Sequence, residues 1–441
     1  MLKGNLFVNI LYFTVPLIIS GILQLLFNAI DMIVVGKFSG SASMAAVSST
    51  GSLINLITNL FIGLSVGSSV CVARRIGKGK MDEVSKAVQT SISIALISGV
   101  ILTLLGIVFS KRLLLWMKSP EDVIDLSALY LRIYFTGMTA TMLYNFASAI
   151  LRAKGDTKRP LIALSIAGVL NALLNLFFVV VLKMDVAGVA LASSLSSYVS
   201  AILVLIVLIK DPGMVQLDIR NLYIDKEAMK DISIVGIPAG IQGTVFSLSN
   251  VAIQSSVNSF GRIVMAGNGA ASSIEGFVYN AMNAFYQSCL TFTSQNVGAG
   301  QLRRSGKILF VCELLVILTG FVFGYGVYRN GEVFLRIYSD DADVIAAGMI
   351  RLYYVCRTYF LCGIMDVFVG SLRGMGSSIL PMVVSLLGAC VFRLVWIATY
   401  FRTHHDIQSL YVSYPYSWIL TASVHFLTIL FVYMRLKRKE G

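Results

Sequence analysis

Four polar residues interrupt the apolar stretch 13–38: Ser20, Gln24, Asn28 and Asp31, spaced four, four and three residues apart. On a helix that spacing stacks them along one face. A carboxylate inside a segment long enough to cross a bilayer is disfavoured by at least ~2.5 kcal/mol on insertion scales, so it faces protein or a wet cavity. A structural reading stands beside the functional one: Asp31 near the outer interface, or paired with a neighbouring helix. Lys37, six residues on, is roughly 9 Å away at helical rise.

Other polar groups at membrane depth gather by half. In the first half, Asn55 and Asn59 lie one turn apart, Tyr144 and Asn145 share the fourth apolar span, and Asn171 and Asn175 lie one turn apart on the fifth. With Asp31 they can surround a proton or small cation with oxygen ligands, as hard cations prefer. Interhelical amide pairing is the competing account of any single Asn. In the second half Gln242, Asn250 and Gln254 share a face of the seventh span, Glu275 and Asn280 lie on the eighth, and Asp366 lies on the tenth. Arg357 and Arg393 are also at membrane depth, and an ion pair between Asp366 and Arg393 would be structural. Glu313 lies within two turns of Lys307. Met138, Met142, Met282 and Met365, with Tyr279, Phe285 and Tyr286, suit a pliable pocket and equally suit ordinary core.

The elements that must position these groups are membrane helices. The 441 residues are 57% hydrophobic and 13% charged, with a mean hydropathy of +0.81. That is far too apolar for a soluble domain. Twelve apolar spans are read, centred near residues 23, 58, 98, 140, 171, 197, 246, 281, 318, 359, 391 and 424, each of the order of 20 residues, as a ~30 Å hydrocarbon core requires. With the N-terminus inside, 22 of the 35 Lys and Arg fall in inner loops, 9 (Lys118 among them) in outer loops and 4 within spans. Both termini are therefore expected in the cytoplasm. The net charge of +13 follows from topology and needs no nucleic-acid partner. The six cysteines lie in or beside spans without a metal-like cluster and read as small apolar residues. The start of the chain carries no cleavable signal pattern.

The chain repeats itself at a shift of 221 residues. Leu151, Arg152, Gly155 and Pro160 match Leu372, Arg373, Gly376 and Pro381; Gly77 and Gly79 match Gly298 and Gly300; Lys86 matches Lys307, and Asn59 matches Asn280. At a shift of 222, Pro16 and Asn28 match Pro238 and Asn250, while Asp31 meets Ile253. An even number of spans per repeat predicts two six-helix lobes of the same topology, residues 1–209 and 232–441, joined by a cytoplasmic linker at 210–231. Gly79 and Gly155 are placed to end helices. The run Gly77-Lys78-Gly79-Lys80 lacks the spacing of a phosphate loop.

These stretches together resemble a bacterial member of the multidrug and toxic compound extrusion (MATE) family. The likeness rests on VPLIISGILQLLFNAIDMIVVGKF, ASMAAVSSTGSL, ARRIGKGKMDEV, SQNVGAGQLRRS, ILRAKGDTKRPLIALSIAGVLNALLNLFFV and SLRGMGSSILPMVVSLLGACVFRLVWI, and it covers essentially the whole chain. It implies a polytopic inner-membrane transporter, active as a monomer among membrane lipid. Its lobes would rock between inward-open and outward-open states, exporting cationic or amphipathic small molecules against inward flow of Na+ or H+, with no other cofactor. The family's first-helix acid falls on Asp31, which would also ligate Na+. Its fifth-helix Asn falls on Asn171, and the acid often found one turn later is here Asn175. With Asn28 these form the expected coupling site, and Gln24, Asn59, Asn145, Asn250, Glu275, Asn280 and Asp366 the expected substrate cavity. Two other readings compete with this one. A lipid-linked oligosaccharide or polysaccharide flippase of the same wider superfamily would want a strongly cationic cavity, for which Arg357 and Arg393 are the candidates. An intramembrane enzyme would want a clustered nucleophile, and His404, His405 and Asp406 are adjacent only in an outer loop.

Overall fold

The computed structural model describes residues 1–116 and 123–440; Lys118 lies outside them. No strand occurs among the described residues. Among the described residues the helices group into twelve passes. The first three are α1 (Leu6–Phe38), α2 (Ser41–Lys78) and α3 (Met81–Trp116). Next come α4, broken at Gly137 into Ile124–Thr136 and Met138–Lys154; α5 (Lys158–Asn175), continued by a wider turn at Leu176–Val181; and α6 (Asp185–Ile209). The second half holds α7 (Lys226–Asn258), α8 (Arg262–Gly298) and α9 (Leu302–Arg329). Then follow α10 (Ala342–Arg351, Leu352–Cys356 and Phe360–Gly374), α11 (Ile379–Ser385, Leu386–Val391 and Phe392–Ala398) and α12 (Ile407–Glu440).

Among the described residues nine helices are long and apolar enough to cross a membrane, and the α10 pair, bent by 43°, makes a tenth. The remaining two passes have local reasons for falling short. α4 is divided at Gly137 into pieces of 13 and 17 residues, and α8, 37 residues long, carries Asn268, Glu275, Asn280, Gln287, Gln295 and Asn296 along its length.

The repeat is visible in the backbone. Gly79 and its mate Gly300, and Gly155 and its mate Gly376, all adopt positive φ (72°, 69°, 107° and 89°) at or just past helix ends, the conformation glycine reaches without a Cβ penalty. Asp156 then starts α5 by accepting the backbone N–H groups of Lys158 and Arg159, both at 3.1 Å.

The chain packs as two compact units, residues 22–240 and residues 1–21 with 241–441. Within the first, the start of α7 lies directly against α2. Gly63 and Gly67 face Gly236 and Gly240, so that a Cβ on Gly236 would sit 2.7 Å from the Leu64 Cα and one on Gly240 would sit 2.5 Å from the Leu60 carbonyl oxygen. Two small-xxx-small stripes allow this backbone approach, which is how helices associate where lipid removes the hydrophobic drive. The linker is tied to the same unit: Lys154 pairs with the buried Asp211 at 2.6 Å, Thr90 Oγ1 accepts the Asp225 N–H at 2.9 Å, and Arg75 pairs with Asp231 at 3.1 Å. Within the other unit the start of α1 packs on α8, through a 2.7 Å Thr14–Ser288 hydroxyl contact and an edge-on Phe13–Phe292 pair at 5.4 Å. All six cysteines are free and buried.

Candidate cation and substrate site

Asp31 stands in α1 where α5 and α6 present polar side chains. Its Oδ1 accepts from Asn175 Nδ2, and its Oδ2 accepts from the Ser193 hydroxyl at 3.2 Å. Asn175 also donates to Asn171 Oδ1 at 3.2 Å, and Asn171 Nδ2 donates to Ser193 Oγ at 3.4 Å. The four side chains close a ring in which every donor is neutral. Asn171 and Asn175 are buried, and Asn175 Oδ1 has no hydrogen-bond partner. Two carboxylate oxygens, two amide oxygens and a hydroxyl at one spot are the donor set of a hard cation. An unpaired amide oxygen beside a carboxylate without a counter-charge has capacity for one more positive partner.

This ring forms part of the wall of a cavity of about 630 Å³ within the 22–240 unit. Gln24, Asn28, Asn55, Tyr130, Tyr134, Ser196, Ser197 and Ser200 share the lining with Asp31, Asn171 and Ser193, together with apolar residues such as Phe27, Met32 and Ile54. Asp31 is the one charged group among these lining residues. Aromatic faces beside a carboxylate in a space of this size suit a small organic cation.

The stripe read from the sequence is thus present: Gln24, Asn28 and Asp31 line one space with Asn171. Asn175 lies behind Asp31 in the ring. Asn59 and Asn145 are absent from the cavity lining, and Asn145 donates to the Thr141 carbonyl of its own helix at 2.9 Å. The residues named in the other half lie in the other unit. Asn250 is exposed and Asn280 donates to the Gly276 carbonyl at 2.9 Å. Glu275 is buried in a bidentate pair with Arg351, at 3.1 and 2.9 Å; Arg351 donates further to Asn268 at 2.7 Å, and Asn268 accepts from Tyr411 at 2.8 Å. Asp366 is partly buried, within electrostatic reach of Arg373. Arg393 spends its charge elsewhere, donating to Ser417 at 2.8 Å and stacking over Tyr414 at 4.2 Å, while Arg357 stacks over Tyr353 at 4.3 Å.

The MatE family profile matches residues 16–177 and again residues 238–399. The chain belongs to the MatE family. Its two matched segments start 222 residues apart, the shift at which Pro16 meets Pro238. Curated relatives include a probable multidrug resistance protein, YoeA, of Bacillus subtilis (27% identical, covering 94% of this chain and 91% of the relative). The multidrug export protein MepA of Staphylococcus saprophyticus is 20% identical over 85% of this chain and 83% of its own. Among solved structures, a MATE protein in a bent conformation superposes with a TM-score of 0.91 at 21% identity, covering 100% of this chain and 98% of that one. An outward-facing MATE transporter of the MOP superfamily gives 0.92 at 21%, covering 99% and 98%. Both place this MatE chain in the same fold.

Within this MatE chain, sequence reasoning missed Ser193 and the tyrosines of α4. A signal for the serine existed: Ser193, Ser196, Ser197 and Ser200 follow the i, i+3, i+4, i+7 pattern, with Ser194 on another face of the same span. Tyr130 and Tyr134, one turn apart and stacked at 5.6 Å, carry no comparable mark, since aromatic residues are common throughout the spans.

Proposed function

We propose that this protein is a secondary active exporter of cationic or amphipathic small molecules, driven by Na+ or H+ bound at Asp31, in a cell membrane with both termini cytoplasmic. The observation that carries the reading is the Asp31–Asn175–Asn171–Ser193 ring in the wall of a cavity with no lining cation. A carboxylate held only by neutral donors keeps its full charge for an incoming ion. When a proton or Na+ neutralises it, its hold on Asn175 and Ser193 weakens and α1 is free to repack; that repacking favours release of substrate outward. The multidrug names of the relatives support the substrate class, and the sole acidic charge of the lining supports a cation over an anionic lipid-linked sugar. Lipid surrounds the protein, and one chain contains all of the proposed coupling residues.

Dye accumulation in everted membrane vesicles, run first with an imposed Na+ gradient and then with an imposed pH gradient, tests this. Transport driven by one of the two gradients is expected. Transport under neither, or transport that instead follows ATP hydrolysis, overturns the antiporter.

A further inference from the structure

The two halves carry a groove at repeat-related positions, and the two grooves are covered differently. In the first half Asp82, Ser85 and Gln89 of α3 line a groove of about 1200 Å³ whose other side is the linker, from Ile209 through Arg220. Gln89 pairs through its side-chain amide with the backbone N–H and C=O of Asp218, at 2.9 and 3.1 Å. In the second half the same register positions, 221 residues on, are Arg303, Gly306 and Phe310. They line a groove of about 510 Å³ with Lys307 and Val311 of α9 and with Asn5, Leu6 and Phe7 ahead of and within the first turn of α1.

Among the described residues no linker lines this second groove, and its chemistry differs from that of the first. Arg303 and Lys307 lie one turn apart and exposed, and among the described residues neither has a carboxylate partner. The adjacent cation, Arg304, is engaged on the Gly4 carbonyl at 3.0 Å. The positions of Arg303 and Arg304 in the first half are Asp82 and Glu83, while Lys307 repeats Lys86, so fold symmetry accounts for the lysine and not for the arginines. Phe7 and Phe310 are 44% and 69% exposed, and the apolar face runs on along α9 through Leu314, Leu318 and Phe321. Gly306 leaves the backbone bare in the groove: a Cβ there would meet nothing within 4 Å.

We infer that this groove binds an anionic phospholipid, with the phosphate on Arg303 and Lys307 and the acyl chains along Phe310 and the exposed face of α9. Two unpaired cations at a membrane-crossing helix start select an anionic headgroup, and the helix N-terminus adds its own donors and dipole. The apolar continuation is what a lipid needs and a free phosphate does not. The basic C-terminal tail, with Arg435, Lys437 and Arg438, is excluded as occupant by like charge.

The test is native mass spectrometry of the purified full chain, delipidated and then offered phosphatidylglycerol, phosphatidylcholine or inorganic phosphate. The wild type is expected to retain phosphatidylglycerol over phosphatidylcholine. The Arg303→Gln/Lys307→Gln variant is expected to reduce that retention by about fivefold per charge removed. Gly306→Leu, which fills the groove without a clash at Cβ and keeps both cations, is expected to reduce it too. Lys437→Gln/Arg438→Gln, an equal loss of exposed charge elsewhere, is expected to leave it unchanged. Equal retention of the two lipids, full retention by Gly306→Leu, an equal loss in the tail variant, or displacement of the lipid by inorganic phosphate each overturns the assignment.

Discussion

Asp31 and Glu275 are both acids at membrane depth, and the protein treats them in opposite ways. Glu275 is sealed against Arg351 by two hydrogen bonds, with Asn268 and Tyr411 completing the network. Its charge is cancelled inside the fold. Asp31 is held by an amide and a hydroxyl on the wall of a cavity, with no fixed counter-charge among the lining residues. If the proposed coupling at Asp31 holds, it is the charge of an acid's fixed partners, and not its burial, that marks such a site. A paired carboxylate has its charge already met, while one held by neutral donors would change its interactions if an ion bound.

The sharpest way to break this contrast is Asp31→Asn, which keeps shape and most hydrogen-bonding capacity but removes the charge. Ion-driven dye efflux is expected to be abolished in vesicles while the protein reaches the membrane at normal abundance; retained efflux would put the coupling site elsewhere. Glu275→Gln comes next and acts on a different quantity. It leaves Arg351 buried without its counter-charge, and a loss of about 3–5 kcal/mol of stability is expected, read as a lowered melting temperature of the purified protein. Adding Arg351→Met is expected to recover much of that loss, with gradient-driven efflux retained. If Glu275→Gln abolishes coupling in a variant that melts normally, the structural role given to Glu275 is wrong.

Smaller effects refine the picture. Ser193→Ala removes one of the two donors to Asp31, and a net hydrogen bond of about 0.5–1.5 kcal/mol corresponds to a two- to tenfold shift in the ion concentration giving half-maximal efflux. No shift would mean that the hydroxyl is a bystander. The weakest change concerns an exposed acid, Asp406, whose Oδ1 and Oδ2 accept the backbone N–H and hydroxyl of Ser409 at 2.6 and 2.8 Å at the start of α12. The Ser409 N–H holds this carboxyl below its ordinary range. Its contribution is therefore present at neutral pH and fades as pH falls through the folded-state value. Asp406→Ala is expected to cost about 1 kcal/mol as a lost helix cap, with the gap between variant and wild type closing in acid; a gap independent of pH would refute the cap. His404 and His405 beside it gain no catalytic partner from this arrangement, since both carboxylate oxygens of Asp406 are engaged by Ser409.

Much of the fold is legible in the chain because membrane burial writes itself as long apolar runs, and duplication writes itself as a constant shift. The glycine pairs Gly79/Gly300 and Gly155/Gly376 mark helix ends for a local reason, the left-handed backbone. The stripe of Gln24, Asn28 and Asp31 is legible for the same kind of reason, since helical spacing alone puts those side chains on one face. The closing of the ring by Ser193 is not local: it depends on which face of α6 meets α1, and serines on the other faces of that helix look identical in sequence. The partner of Glu275 is equally remote, 76 residues away at Arg351, and several basic residues at membrane depth competed for the role.

By itself, then, the sequence determined the class of the molecule, its duplicated twelve-helix plan and the presence of an acid, Asp31, that the duplication does not explain, because each of these follows from composition, period or register. Only the tertiary structure decided where charge is cancelled and where it is left free. It set Arg351 on Glu275, Arg393 on Ser417 and Tyr414, and nothing but neutral donors on Asp31. It also drew the start of α7 onto α2 through Gly63, Gly67, Gly236 and Gly240. Those outcomes depend on which surfaces come within a few ångströms of one another, and no spacing along the chain fixes that.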